Sequence, residues 1–348
     1  MRILVALSGG VDSSVAAALL REQGHELIGV TFHLWDAGGH DKVGRCCAPE
    51  DREDARRTAD ELGFPHYVID EREAFRAQVV EPFLDTYVAG ATPAPCVACN
   101  QHVKVARLVE LADRFGCAQI ATGHYARIVH EGERVRLLRG RDHHKDQSYF
   151  LYGVPRAALA RLLFPLGELT KDQTRAEGVR LGVSNASKPD SQELCFVPDG
   201  EIGDFVARER GLSEQGEIRD STGQVLGTHQ GIYRYTVGQR KGLQLGGGPA
   251  RYVLRVVPDE RAVVVGDDAQ LLASRCDARD ASWCSEQPLE PFEAEVRVRY
   301  RHRPAPARVV PQGSTFTVDF QAPQRAITPG QAAVVYRGEE VVGGGIIA

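Results

Sequence analysis

The stretch Ile3-Leu4-Val5-Ala6-Leu7-Ser8-Gly9-Gly10-Val11-Asp12-Ser13-Ser14 decides how the rest of the chain is read. Ile3 to Leu7 is a continuous apolar run, as in a strand covered on both faces. Ser8, Gly9 and Gly10 break it. Val11-Asp12-Ser13-Ser14 then opens a helix that continues through Val15-Ala16-Ala17-Ala18-Leu19-Leu20 and stops at Gly24, a natural C′ residue. Two glycines let the backbone approach a ligand closely, and the exposed N–H groups of a helix start point at whatever anion sits there. The stretch lacks the lysine and the four-residue spacer of a Walker A loop, so it is not one.

Working outward, Leu27–Trp35 reads as a second strand, and Asp36 to Ala48 as a loop carrying Gly38, Gly39 and Gly44. A helix follows from Pro49 to Gly63, with Glu50, Asp51 and Glu53 in its first turn. His66–Ile69 is a third strand, and Phe75 to Val88 an amphipathic helix disturbed at Pro82. The proline-punctuated loop Thr92–Pro95 delivers the chain to Cys96. Val103 to Phe115 is helical, and Cys117–Thr122 is a fourth strand ending in Gly123-His124-Tyr125. Such alternation predicts a doubly wound parallel α/β sheet, with ligands at the carboxyl ends of its strands. Both Ser8–Ser14 and Thr122-Gly123-His124 fall there.

The pattern then loosens. Arg127–Leu138 reads as a hairpin around Glu131-Gly132, and Arg141–Gln147 as a polar segment that no core holds cheaply. Thr170 caps a helix running to Gly182, and a loop leads to Asp190-Ser191-Gln192-Glu193-Leu194-Cys195-Phe196. A short helix spans Asp204–Glu209, and from Gly216 onward the chain is nearly all short strands with glycine turns. The expected division is a catalytic parallel-sheet domain over 1–203, a small central mostly-β domain over 204–272, and a C-terminal β-barrel over 273–348.

The chain has 348 residues, 43% hydrophobic and 26% charged, which suits a globular protein of two or three domains. No apolar run approaches a membrane span, and the expected location is the cytoplasm without membrane contact. A net charge of −5 excludes a general nucleic-acid-coating protein but leaves room for a local basic track.

Eight cysteines in such a chain point to metal or catalytic thiols rather than a disulfide framework. Cys96 and Cys99 form a C-x-x-C just before a helix, where the helix dipole stabilises a thiolate nucleophile. The competing reading, half of a zinc site, needs a second C-x-x-C that the chain lacks; Cys46-Cys47 are adjacent and poorly suited to chelate one ion. Cys195 stands alone and reads either as a small buried hydrophobe or as a reactive thiol. Cys117, Cys276 and Cys284 read as structural.

The SGGVDSS stretch resembles the pyrophosphate loop (SGGxDS) of the PP-loop ATP pyrophosphatases, which split ATP into AMP and pyrophosphate to adenylate a substrate. Over essentially its full length the chain resembles the bacterial tRNA-specific 2-thiouridylases, the MnmA/TrmU family. The resemblance rests on SGGVDSS, TPAPCVACN, ATGHY, KDQSYFLY, FPLGELTK, DSQELCF, GQRKGL, RYRH, TPGQ and GGGII. It implies ATP-dependent thiolation of the wobble uridine at C2. Adenylation turns the C2 oxygen into a good leaving group, and a sulfur nucleophile then attacks. It further implies ATP contacts at Ala6, Leu7, Ser8, Gly9, Gly10, Val11, Asp12 and Ser13, with Asp12 acting through Mg2+ and Phe32 and Gly123 lining the adenine and ribose side. Cys195 carries the incoming sulfur as a persulfide, and Cys99 attacks it to leave a Cys99–Cys195 disulfide. Ala94, Pro95, Cys96, Lys145, Asp146, Gln147, Arg299, Tyr300 and Gln331 meet tRNA, and His124 lies beside the target base. The implied partners are tRNA, through its anticodon loop, and a sulfur-donor protein or relay, acting on a monomer.

One departure from the pattern matters: many members carry an aspartate where this chain has Cys96. Cys96, Cys99 and Cys195 together suggest the alternative of a 4Fe–4S cluster with an open iron. In Arg297-Val298-Arg299-Tyr300-Arg301-His302-Arg303, strand alternation puts four arginines on one face, a row suited to a phosphate backbone. Gln239-Arg240-Lys241-Gly242 adds a second contact. Two other classes compete with this reading. One is a PP-loop ligase acting on a small molecule, which needs neither thiol pair nor arginine strand. The other is a non-catalytic RNA-binding iron–sulfur protein, against which an intact Asp12 argues.

Overall fold

The computed structural model describes residues 1–36, 49–132, 134–189, 194–197 and 201–348. They divide into two compact units: Met1–Val79, Cys96–Gly200 and Glu339–Val342 form one, and Val80–Pro95, Glu201–Gly338 and Gly343–Ala348 form the other.

The first unit is built on five parallel strands. They are β1 (Arg2–Ala6), β2 (Glu26–His33), β3 (His66–Asp70), β4 (Gln119–Ala121) and, beyond a hairpin of β5 (Ala126–Glu131) and β6 (Arg134–Arg139), β7 (Leu162–Leu163). Their spatial order is β3-β2-β1-β4-β7. Ile3 stands opposite Leu27 on one side and Gln119 on the other, which makes β1 the centre. The chain winds outward through β2 and β3, then resumes on the far side of β1 with β4. That reversal leaves a crevice at the carboxyl ends of β1 and β4, where doubly wound sheets bind their ligands.

In chain order the helices are α1 (Val11–Glu22), α2 (Pro49–Leu62), α3 (Arg72–Phe75), α4 (Glu81–Val88), α5 (Pro95–Ala98), α6 (Val105–Arg114), α7 (Arg156–Leu159), α8 (Lys171–Arg180) and α9 (Ile202–Arg210). The small side chains of α1 let it be buried on two sides. Ala17 and Leu20 join Ile3, Val5, Ala55 and Ala59 in one core, while Val15, Ala16 and Ala18 join Tyr125, Leu166 and Val183 in another. The Phe75–Val88 segment is broken as Pro82 foretold, with a π-helical stretch over Arg76–Val80 between α3 and α4. A second π stretch, Cys99–Lys104, lies between α5 and α6. Asp36 closes the description of its loop; the expectations for Gly38, Gly39, Gly44, Cys46 and Cys47 fall outside the described residues, as do those for 190–193.

The second unit holds two β structures. The smaller is a four-stranded sheet of β8 (Gly216–Asp220), β9 (Val225–His229), β10 (Tyr252–Val257) and β11 (Ala262–Gly266), in the order β10-β11-β8-β9. Ile218, Tyr235, Leu243, Val253, Val263 and Val265 form its core. The larger comprises β12 (Leu272–Trp283), β13 (Phe292–Arg297), β14 (Ala305–Gln312), β15 (Thr315–Arg325), β16 (Ala332–Arg337) and β17 (Glu340–Ile347). Its order is β12-β15-β14-β13-β16-β17, and β17 pairs back onto β12 to close a six-stranded barrel without free edges. Helix α4 belongs to this unit, where Phe83 packs against Phe205 of α9 and Arg210 reaches Glu81 and Asp85.

The four-arginine face is not formed. β13 ends at Arg297, and the chain turns, with the His302 N–H donating to the Arg299 carbonyl. Arg297 is buried over the Tyr336 ring, and Arg299 donates to Thr328 Oγ1 at 2.9 Å. Only Arg301 and Arg303 are exposed. A strand and a tight turn give the same alternating sequence here, and the side-chain bonds of Arg299 favour the turn. The Arg141–Gln147 segment also differs from expectation: Asp146 is only 1% exposed. Its burial is tolerated because Oδ1 accepts from the backbone N–H groups of Gly140 and Ser148, both at 3.1 Å.

Candidate active site

The turn after β1 is shaped by contacts that only glycine permits. Gly9 has φ +72°, and a Cβ there would lie 2.0 Å from the Asp51 carbonyl oxygen at the start of α2. Gly123, after β4, would place a Cβ 2.7 Å from the Ser13 nitrogen. The loops following the two central strands are therefore in contact at the first turn of α1. Inside the turn, the Ser8 N–H donates to Ser13 Oγ at 3.1 Å, and Ser13 Oγ donates to the Gly10 carbonyl. The N-cap of α1 is Gly10, which has no side chain to cap the helix. An uncapped helix start of this kind, at the positive end of the helix dipole, suits an anion.

Asp12 lies in that first turn, and its Oδ1 accepts from Lys171 Nζ at 2.7 Å and from the Tyr125 hydroxyl at 2.9 Å. Lys171 is delivered by the N-terminus of α8, where Thr170 and Gln173 form a reciprocal capping box. The Lys171 N–H also donates to Asp142 Oδ2 at 2.9 Å. Burial opposes ionisation of Asp142, yet the backbone N–H groups of Lys171, His144 and Lys145 hold its carboxyl below the ordinary range. On the other side of the turn, the Gly9 carbonyl accepts from Asn185 Nδ2 at 3.1 Å and Lys188 Nζ at 3.2 Å. Lys188 also meets Asp51 and Asp54, each at 2.6 Å. Burial lowers the Lys188 pKa, but the two carboxylates more than offset this and hold it above the ordinary lysine value.

His124 Nδ1 sits 2.7 Å from Thr122 Oγ1, and its ring meets Phe164 edge-on at 5.9 Å. Burial pushes the imidazole down to about 3, with the Lys104 charge acting the same way. The ring is neutral at physiological pH and is a weak proton acceptor there. Gln147 ties its own loop to this one: its side chain accepts from the Tyr125 N–H at 3.0 Å, and its N–H donates to the Tyr125 carbonyl at 2.9 Å. Gln147 thus ties the loop that carries the half-buried Lys145 to Tyr125, and Asp146 closes that loop on Gly140 and Ser148.

The thiols are placed by their neighbours. Cys96 lies exposed in α5, and Cys99 is buried at the start of the π stretch. Asn100, next to it, donates to the Phe150 carbonyl. Cys195 is half-buried in a turn closed by Val197 N–H to the Leu194 carbonyl. Phe196 pins that turn edge-on against Phe75 at 5.6 Å and Trp35 at 6.3 Å. Phe75 belongs to α3, which packs on the π stretch bearing Cys99. One short helix therefore braces both thiol-bearing segments. Cys117, Cys276 and Cys284 are buried, and burial raises the Cys276 thiol to about 12, which leaves it inert.

The other expected residues divide as follows. Ala6, Leu7 and Val11 flank the turn, and Phe32 is buried on β2, the strand next to β1. In the second unit, Gln331 Nε2 donates to the carbonyls of Thr92 and Pro93 at 3.0 and 2.9 Å, anchoring the segment that carries Ala94 and Pro95. Tyr300 lies half-buried in the turn after β13. Sequence reasoning missed Tyr125, Asp142, Lys171, Asn185 and Lys188. The ATGHY and FPLGELTK stretches contain the first and third, so the signal was present without a role attached.

Among the described residues no helix is long and apolar enough to cross a membrane. Residues 1–199 match the family profile described as the tRNA methyl transferase HUP domain. Residues 203–267 match the tRNA methyl transferase PRC-barrel domain, and 273–347 the aminomethyltransferase beta-barrel domain. The tRNA-specific 2-thiouridylase MnmA of Sorangium cellulosum is 50% identical, over 99% of this chain and 92% of that one. Its counterpart from Geobacter metallireducens is 47% identical, over 99% and 96%. A solved 4-thiouridine synthetase–RNA complex with bound ATP overlaps at a TM-score of 0.35 and 16% identity, over 60% of this chain and 50% of that one, which supports no conclusion about this chain. The identities over the whole length decide the matter: the chain belongs to the tRNA-specific 2-thiouridylase MnmA family.

Proposed function

We propose that this protein catalyses ATP-dependent 2-thiolation of the wobble uridine of tRNA. The observation that carries the reading is the uncapped N-terminus of α1 at the sheet's switch point, beside Asp12, Lys171 and Tyr125, in a unit that also braces two thiol-bearing segments on one helix. The phosphates of ATP rest on the first-turn N–H groups of α1, with the Ser8–Ser13 loop around them. Phe32 and Gly123 face the adenosine end. Asp12, partly exposed, suits a magnesium ion that needs only one or two protein carboxylates besides phosphate oxygens. Bound there, the ion would neutralise phosphate charge.

The uridine C2 oxygen attacks the α-phosphate and pyrophosphate leaves. The terminal sulfur of a Cys195 persulfide then attacks C2 and AMP leaves. The Cys99 thiolate attacks Cys195 Sγ, the old S–S bond breaks, and the sulfur stays on C2. The Cys99–Cys195 disulfide that results needs two electrons from a thiol reductant, and a sulfur-donor protein restores the persulfide. His124, neutral and poorly basic, serves the target base as a hydrogen-bonding group rather than a proton acceptor. tRNA is met by Cys96, Lys145, Asp146 and Gln147 of the first unit and, separately, by Ala94, Pro95, Arg299, Tyr300 and Gln331 of the second; Asp146, Gln147, Arg299 and Gln331 act by bracing the backbone within their own units.

The alternative, a 4Fe–4S cluster on Cys96, Cys99 and Cys195, fits less well. Among the described residues no three His, Cys, Asp or Glu side chains are gathered to hold a metal ion, and Cys96 is exposed while Cys99 is buried. The reading carries with it a cytoplasmic monomer divided at about 203 and 272.

Nucleoside analysis of tRNA after incubation with enzyme, ATP, magnesium, a persulfide-charged sulfur donor and a thiol reductant tests the proposal. The expected result is 2-thiouridine with the wild type and none with Cys99→Ala or Cys195→Ala, while both variants keep tRNA-dependent ATP–pyrophosphate exchange. Exchange driven by a small metabolite without tRNA would overturn it. Full thiolation by iron-free protein would exclude the cluster.

A further inference from the structure

The back of the nucleotide turn is as organised as its front. The Gly9 carbonyl receives two donors, Asn185 Nδ2 at 3.1 Å and Lys188 Nζ at 3.2 Å. Asn185 is buried and also bonds Ser14 Oγ at 3.0 Å. Lys188, 13% exposed at its side chain, is held in place by Asp54 and, in the first turn of α2, by Asp51. The same turn of α2 presses its Asp51 carbonyl against the Cα of Gly9. The peptide between Gly9 and Gly10 is thus gripped from behind by parts of the chain far apart in sequence.

A trans peptide points its C=O and its N–H in opposite directions. Fixing the Gly9 oxygen at the back therefore aims the Gly10 N–H to the front, where the anion sits. A cation on the carbonyl also polarises the peptide, which strengthens the N–H as a donor. The turn has no lysine of its own, and this arrangement brings an ammonium to it indirectly. We propose that Lys188 is a positioning residue for adenylation, which orients and polarises the Gly9–Gly10 peptide so that its N–H receives the pyrophosphate end of ATP. The inference rests on the proposed ATP-dependent function and adds a residue to it.

Three variants test it: Lys188→Met, Lys188→Arg, and Lys188→Met combined with Asp51→Asn and Asp54→Asn. The last removes the two carboxylates that the single change would leave buried without their cation. Binding of inorganic pyrophosphate, ATP and adenosine is measured by calorimetry, next to thermal unfolding and the KM for ATP in tRNA-dependent pyrophosphate exchange. Pyrophosphate and ATP are expected to bind the triple variant about tenfold more weakly, the size of one charge-assisted hydrogen bond. Adenosine should bind as to the wild type, the unfolding temperature should return toward the wild-type value, and Lys188→Arg should recover part of the affinity. Wild-type pyrophosphate affinity in a stable triple variant, or an equal loss for adenosine, would overturn the role. A wild-type protein that binds pyrophosphate yet supports no tRNA-dependent exchange would sink the functional reading and leave the role of Lys188 standing.

Discussion

Replacing Gly9 by alanine separates two costs that the turn imposes, because Gly24 supplies the control. Both glycines have positive φ, +72° and +81°. A Cβ at Gly24 meets nothing within 4 Å, so Gly24→Ala carries only the backbone cost, ~1 kcal/mol. At Gly9 the Cβ lies 2.0 Å from the Asp51 carbonyl oxygen, so the start of α2 must retreat by roughly 1.4 Å to reach ordinary contact. Overpacking of that kind adds about 1–3 kcal/mol. At about 2–4 °C per kcal/mol for a unit of this size, Gly24→Ala should lower the melting temperature by about 3 °C and Gly9→Ala by roughly 10 °C. Circular dichroism melts of both variants read the difference, and titration with pyrophosphate reads the displaced turn. Gly9→Ala melting together with Gly24→Ala, with unaltered pyrophosphate affinity, would refute the packing of α2 on the turn.

Three other outcomes are expected. Tyr125→Phe removes the hydroxyl that meets Asp12 and Thr174, both at 2.9 Å; it should cost about 1–2 kcal/mol and raise the KM for ATP, and an unchanged melt and KM would count against that bridge. His124 has its folded pKa at about 3 against 6.5 for the free side chain, so the unfolded chain binds a proton that the folded one does not. Its contribution to stability is complete above pH 6.5 and is lost as the pH falls toward 3, at up to ~1.4 kcal/mol per pH unit; His124→Gln should flatten the fall of melting temperature with pH, and parallel curves would argue against it. Arg301→Ala, exposed, should leave the melt intact and reduce the slope of log affinity for tRNA against log salt by about 0.7–0.9, whereas Arg299→Ala should also lower the melting temperature through the lost Thr328 bond; the same melt for both would contradict the burial difference.

Local signals carried most of the parallel sheet. The apolar run of β1, the glycine break and the small-residue helix α1 are written contiguously, and so is the capping box at Thr170. What escaped was set at long range. Lys188 lies 137 residues from Asp51, and Lys171 lies 159 from Asp12, so no spacing rule connects them. β7, two residues long, is too short for any periodicity. The arginine row failed for another reason. The alternating residue types suit a strand, yet Arg297 and Val298 are both buried, and the bond from Arg299 to Thr328 that favours the turn joins residues 29 apart. Asp146 was misplaced because its burial depends on two backbone donors, and backbone donors leave no trace in sequence.

The division of the chain into two units has a practical consequence for anyone cutting the gene. Residues 80–95 belong with the second unit although they are written inside the first. A fragment ending near residue 200 would carry α4 without α9, leaving Phe83 stripped of Phe205, and Glu81 and Asp85 without Arg210. Such a fragment is expected to aggregate, and a chimera joined at that point inherits the same fault. Grafting or miniaturising this protein calls for moving 80–95 together with 201–338 and 343–348, a discontinuous exchange rather than a single cut.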